Sequence, residues 1–343
     1  MPSAIAPNYK QAAKDIAQNE AVLGGYAYQI IRQQSKRIFK LRSPVIADTD
    51  PENLHQMRVG TRRLRSALDL FSDVVVIGSG SKGFAKASKS VKRLTKTLGK
   101  VRDLDVMQQW FEQILTSEAS AADAIILNKE EKKTIQKLLK KIEESRKKQF
   151  AKLEETLEGS GYQKLVRQFK RWVKRPKFSS TAEQSAQDAA VQGIIQPIIE
   201  LIQHPGWLLA TQQQNDQTLP VKDITLDLIN QQLAEDGEQL HELRKQIKQI
   251  RYQTEFFRGL YDITYAAQVR EFRTLQQLLG QLQDQIVVSD FLTNEIGEKW
   301  ANKLPSIYQS FQDSRVALWQ QWQPYQQKYL KLRSKLPVDS LTA

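Results

Sequence analysis

The sequence predicts an all-α fold, and three observations carry that reading. Glycine and proline are sparse, 15 and 11 among 343 residues, while Gln, Leu, Lys and Ala, which favour helices, are common. Apolar residues recur at helical spacing over long stretches, and those stretches are separated by a few turn-rich breaks. Only VVVI (74–77) resembles a strand; it is short and flanked by Ser, Asp and Gly, so an apolar loop or a helix end fits it equally.

Helices are expected over 8–41, 51–72, 81–117, 119–158, 161–174, 182–204, 223–262, 265–295 and 305–335. The breaks are RSPVIADTDP (42–51), SDVVVIGSGS (72–81), KRPKFSS (174–180) and HPGWLLATQQQNDQTLP (204–220). Several of these helices exceed the usual globular length, as expected of antiparallel bundles with long arms.

Composition bounds the partner. With 40% hydrophobic residues the chain can bury one large core or two modest ones. Lys and Arg number 51 against 38 Asp and Glu, a formal net charge of +13. Such a balance points to an anionic partner: nucleic acid, an acidic membrane, an acidic protein or a free polyanion. The absence of cysteine excludes disulfides, thiolate catalysis and zinc–thiolate sites, and fits an intracellular setting. The segment MPSAIAPNYKQAAKDIAQNE has no apolar run of the signal-peptide kind. The most apolar helical segment, IIQPIIELI (194–202), is too short to span a bilayer and is interrupted by Pro197.

An internal repeat is visible. Residues 55–65 and 241–251 both read H-x-x-R-x-x-x-[RK]-x-x-R, 186 residues apart. Each copy is followed by a second shared segment, LTKTLGKVRD (94–103) and LQQLLGQLQD (275–284), offset by 181 residues. Two motifs in one order at nearly one separation imply duplicated halves, about 8–180 and 181–336.

The repeated motif makes a two-faced helix. His55, Arg58, Arg62 and Arg65 fall within an arc of about 80°, with Met57, Leu64, Leu68 and Phe71 opposite. His241, Arg244, Lys248 and Arg251 form the same arc, opposite Leu243, Ile247, Ile250 and Phe257. A solvated helix face usually mixes signs, because like charges three or four residues apart repel. Little acid accompanies either stripe, so a bound anion is the expected compensation. Lys82, Lys86, Lys89, Arg93, Lys96 and Lys100 make a third stripe, with Phe84, Val91 and Leu98 opposite and Lys92 and Arg102 beside it. These residues extend over about 27 Å of helix, a row suited to a long polyanion. The corresponding positions of the second half, Ile263, Ala267, Arg270, Thr274, Gln277 and Gln281, keep charge only at Arg270, with Arg273 nearby. Binding is therefore expected to be strongest on the N-terminal half.

Other basic runs are less directed. Residues 132–152 carry Glu143 and Glu144 and read as an ordinary charged surface, whereas KLVRQFKRWVKRPK (164–177) holds seven basic residues and no acidic one. The latter suits a packed helix or the rim of the same anion site better than a membrane contact, being short and broken by Pro176. Of the three histidines, His204 precedes Pro-Gly-Trp and reads as structural. His55 and His241 open the two stripes, where an anion-donor or helix-start role suits them better than metal binding, since neighbouring cations would repel a metal ion. Asp103 and Asp284, each four residues after a glycine, could hold the arginines in place. No carboxylate set for Mg²⁺, Walker A loop or zinc motif is present.

At this level LHQMRVGTRRLRSALDLF (54–71) and LHELRKQIKQIRYQTEFF (240–257) resemble the two signature helices of the CHAD family, the conserved-histidine α-helical domains. LGKVRDLDV (98–106) and LLGQLQD (278–284) resemble that family's following motifs, and the likeness spans about 8–336 as a single domain. It implies two pseudosymmetric antiparallel helical bundles around a basic central cavity or groove, and non-catalytic binding of inorganic polyphosphate. The residues it implies for binding are His55, Arg58, Arg62, Arg63, Arg65, His241, Arg244, Lys245, Lys248 and Arg251, with Lys96, Lys100 and Arg102 extending the path; the spacing of the third stripe adds Lys89 and Arg93. Many relatives carry a fused triphosphate-tunnel domain; without a Glu-x-Glu-x-Lys strand near its start, this chain resembles the stand-alone form. No cofactor or metal is implied. Granule-associated proteins are implied partners, with a cytoplasmic or granule location. Weak nonspecific nucleic-acid binding and an enzyme acting on polyphosphate are the alternatives.

Overall fold

The computed structural model describes residues 9–116, 125–260 and 263–336. Its elements are α1 (Tyr9–Gln18), α2 (Leu23–Lys40), α3 (Arg42–Ala47), α4 (Pro51–Leu70), α5 (Gly80–Thr116), α6 (Lys129–Glu158), α7 (Ser160–Lys174) and α8 (Ala186–Gln203). A hairpin of β1 (Thr211–Gln214) and β2 (Gln217–Pro220) follows, then α9 (Leu226–Phe256), α10 (Ile263–Ile296), α11 (Trp300–Lys303) and α12 (Pro305–Arg333). The helical class is as expected, and most long helices lie within a few residues of their sequence-based bounds.

Departures have local causes. The single helix expected over 8–41 is broken at 19–22, where the Asn19 side chain accepts from the Ala21 amide and Val22 bridges Ser185. Such side-chain bonds compete with helix propagation. Gly24 permits the close approach that follows: a Cβ there would lie 2.8 Å from that of Ala182. The helix expected from 119 begins at Lys129 instead, and 117–124 lie outside the described residues. Asn128 caps it, accepting from the Glu130 and Glu131 amides, while Glu131 accepts from the Asn128 amide. This reciprocal pair is a capping box.

The break at 204–220 holds the hairpin, which the all-helical expectation omitted. Gln214 pairs with Gln217 across Asn215 and Asp216, whose φ values of 49° and 58° suit a tight two-residue turn. VVVI is a buried apolar loop with one isolated bridge, Val75 to Phe178. Pro197 does not end α8, which runs through it.

The described chain divides into two compact units. The first contains the described residues up to Trp110 together with Lys140–Gly193; the second contains those of Phe111–Leu139 and those from Ile194 onward. In the first, Ile31, Ile38, Met57, Leu64, Leu98 and Phe169 are buried. In the second, Trp207, Leu243, Ile247, Phe272, Trp319 and Trp322 share one apolar cluster. Trp207 stacks on Tyr329 at 4.3 Å, and the fully buried Gln326 amide donates to the Trp207 and Leu209 carbonyls, anchoring the base of the hairpin.

Arg146 is the polar keystone of the first unit. Its guanidinium donates to both Asp48 oxygens at 2.7 Å and to Asp105 at 2.6 Å, joining α6 to the end of α3 and to α5. These carboxylates, Asp48 foremost, hold its pKa above the ordinary arginine range. Removing one partner from such a pair leaves charge without compensation. Arg146→Met should therefore cost about 3 kcal/mol in a urea unfolding titration. A midpoint equal to that of the parent would refute this role.

Candidate functional site

On α4 the apolar positions Leu54, Met57, Leu64 and Leu68 are at most 1% exposed, which fixes the cation face outward. His55, Arg58, Arg62 and Arg63 are half-buried on the remaining surface and Arg65 is exposed. Leu243, Ile247 and Ile250 anchor α9 in the same way, leaving His241, Arg244, Lys248 and Arg251 half-buried and Lys245 exposed.

The second shared motif explains how the first is held. Arg58 donates to Asp103 at 2.9 Å, and its guanidinium lies against Gly99, where a Cβ would sit 3.5–3.6 Å from Nε and Nη2. Arg244 lies on Gly280 in the same manner, at 3.6 Å. The glycine four residues before each aspartate thus provides a flat bed for an arginine from the neighbouring helix. His55 and His241 also have corresponding neighbours. Burial, then the Arg102 charge, holds the His55 pKa below its ordinary value of 6.5. Gln283, the position matching Arg102 in the second motif, hydrogen-bonds His241 Nδ1 through Oε1 at 2.7 Å.

The expectation of stripes with little acid is corrected. Arg65 faces Asp69 at 3.8 Å, and Arg251 is paired with Glu255, the residue equivalent to Asp69; Glu255 also takes Arg273 at 3.2 Å. Lys245 pairs with Glu242. The last cation of each stripe is therefore compensated, and Arg58 is braced by Asp103. Arg62 carries no ion pair among the described residues.

The α5 row is different. Lys82, Lys86, Lys89, Arg93, Lys96 and Lys100 are all exposed, and none has a carboxylate partner among the described residues. Ala87, Val91, Leu94, Leu98 and Val101 form the buried edge of the helix, while Phe84 is only half-buried. Arg93, Lys96 and Lys100 line a cleft of about 680 Å³ with Lys152 and Glu155 of α6 and the α6–α7 turn. Lys89 and Arg102 are not among its walls. Lys152 came from a run read as ordinary charged surface; only the packing of α6 beside α5 reveals it. Tyr162 closes one side of the cleft, its phenol pushed up to about 12 by burial and so neutral at physiological pH.

His204 is structural, accepting from the Gly206 amide through Nδ1 at 3.0 Å. Among the described residues no three His, Asp or Glu side chains are grouped to hold a metal ion, and no helix is long and apolar enough to cross a membrane.

Fold and site together define a helical protein that carries stripes of arginine and lysine on one face of α4, α5 and α9. A model of the CHAD domain matches residues 29–293, and the chain belongs to that family. The fold resembles the crystal structure of the CHAD domain from the plant Ricinus communis, with a TM-score of 0.55 and 22% identity over 92% of this chain and 93% of that one. It also resembles PptA from Streptomyces chartreusis, with a TM-score of 0.50 and 12% identity over 91% and 96% of the two chains. No curated protein matches the sequence.

The lowered His55 pKa makes a prediction. Its neutral form contributes stability that is present above the unfolded-state value near 6.5 and is lost as pH falls through the folded value. Arg102→Gln removes the second-largest depressing influence, so the folded-state pKa should rise toward 6.5 in an NMR titration of the ring protons. An unchanged or lower value would show that Arg102 does not act on the imidazole.

Proposed function

We propose that this protein binds inorganic polyphosphate without catalysis, using the cation faces of α4, α5 and α9. The observation that carries the proposal is the exposed, acid-free row from Lys82 to Lys100, three members of which also wall the cleft with Lys152. Family membership supports the same reading. A linear polyanion with about one charge per internal phosphate suits a row of evenly spaced ammonium groups. Arg62, Arg63, Arg244 and Lys248 add directional donors on the repeated helices, and arginine's planar fork suits phosphate oxygens. Arg58 is held in place by Gly99 and Asp103, which limits the side-chain entropy lost on binding. His55, neutral when unliganded, would donate one hydrogen bond and gain charge beside phosphate. Such binding would place the protein on polyphosphate granules or let it serve there as a scaffold.

Nucleic-acid backbone binding is the second reading. The aromatic residue nearest a stripe, Tyr252, is buried and lies beneath the Arg251 guanidinium at 4.4 Å, so it offers no face for a base.

Charge reversal at Arg58 would set a carboxylate against Asp103 and confuse binding with folding. Lys96→Glu with Lys100→Glu changes only exposed groups. In titrations with long-chain polyphosphate this pair should lose roughly tenfold or more in affinity and flatten the dependence on salt, with helicity intact. Duplex DNA at equal charge concentration should fail to displace polyphosphate; equal or stronger DNA binding would favour the second reading. Gly99→Val should also weaken binding several-fold by occupying the bed of Arg58, whereas Gly99→Ala, whose Cβ makes ordinary contact, should not. Identical affinities for all three residues at 99 would remove Arg58 from the site.

A further inference from the structure

The first unit carries another concentration of cations, on α2 and α7. Tyr28 donates to the Val173 carbonyl at one end of this pair, and Phe39 meets Tyr162 and Phe169 edge-on toward the other, so the two helices run antiparallel. Between them lies a groove of about 450 Å³. Its floor is apolar, made by the half-buried Phe39 and Val173 over the buried Phe169. Its rims are charged: Arg32, Lys36 and Lys40 on α2, Lys170 and Lys174 on α7, all exposed.

No aspartate or glutamate occurs at 21–47 or at 159–182, the segments containing both helices. None lines the groove, and the four rim lysines have no ion pair among the described residues. A merely solvated surface mixes signs, as α6 does where Lys147 pairs with Glu143 at 2.6 Å. Here like charges at four-residue spacing face each other across an apolar trough.

We propose that the α2–α7 groove docks an acidic amphipathic segment of a partner protein. Charge complementarity supplies the first argument: two cationic rims require an anionic group on each side of the occupant. The floor supplies the second. A bare phosphate chain has nothing to place on Phe39 and Val173, whereas a peptide helix with an apolar ridge flanked by carboxylates satisfies floor and rims at once. Rim cations recur about every 6 Å along each helix, the spacing of carboxylates at i and i+4 on such a peptide. A nucleobase would need an open aromatic face, but Phe169 is fully buried and the Phe39 ring is already engaged by two aromatic neighbours. The groove uses none of the residues assigned to polyphosphate, so the two sites stand or fall separately.

The probe is a fluorescein-labelled synthetic helix with a leucine ridge flanked by glutamates at i and i+4, followed by fluorescence anisotropy on the full chain. Lys36→Glu with Lys170→Glu should weaken peptide binding by about tenfold or more, while long-chain polyphosphate affinity stays within about twofold. Lys96→Glu with Lys100→Glu should leave peptide binding unchanged, and replacing the leucines by serine should abolish it. Should the charge-reversed groove protein lose helicity, Lys36→Gln with Lys170→Gln replaces it, with a smaller loss expected. The proposal is overturned if the groove variants bind peptide as the parent does. It is equally overturned if the serine peptide binds as tightly, or if single-stranded RNA at equal charge concentration displaces the peptide.

Discussion

An arginine lying flat on a glycine is the contact on which the cation faces depend. Arg58 crosses from α4 to α5, rests on Gly99 and ends at Asp103; Arg244 rests on Gly280 between α9 and α10 in the same way. A side chain larger than that of alanine in the bed would push the guanidinium outward or part the helices. The arrangement turns a long, mobile side chain into a fixed donor, and it explains why both motifs had to be repeated together. A cation stripe without its glycine would be flexible, and a glycine without its arginine would only weaken a helix.

The two halves use this device with unequal charge. In the first, the braced Arg58 adjoins the exposed row of α5; in the second, Arg270 and Arg273 are what remain of that row, and Arg273 is taken up by Glu255. Arg65 and Arg251 each face an acid four residues on, so the end of each stripe is neutralised locally. Exposed cations without an acidic partner among the described residues are thereby gathered on one helix of the repeat, α5, instead of being spread over both copies. The α2–α7 groove is built on another rule, with cations surrounding an apolar floor instead of standing in line.

Much of this was legible in the sequence because it obeys helical geometry. Met57, Leu64 and Leu68 are buried where the 3.6-residue period places them, and the α5 lysines are exposed for the same reason. Asp103 could be read as a partner for arginine because the repeat paired it with Asp284. Other features depend on contacts that no period encodes. Lys152 joins the cleft only because α6 packs beside α5. Glu255 and Asp69 stand at i+4 from their arginines, a spacing at which an ion pair depends on the rotamers that only the packed helices set. The capping box at Asn128 was a local signal outweighed by the apparent continuity of 119–158, and the hairpin lies in the break at 204–220, where TQQQ and QTLP lack the apolar alternation that marks a strand.

The path of the chain through its two units has a consequence for how the protein is made. Glu131, 1% exposed, accepts from the Ser306 amide at 2.8 Å and from its hydroxyl at 2.9 Å, tying the start of α6 to the first turn of α12. During synthesis that carboxylate emerges 175 residues before the partner it serves. The second unit also draws on Phe111–Leu139, a segment enclosed in sequence by the two parts of the first. No single cut parts the two units cleanly: a cut after Gly193 keeps the first unit's segments together but leaves Phe111–Leu139, which belongs to the second, on the same fragment.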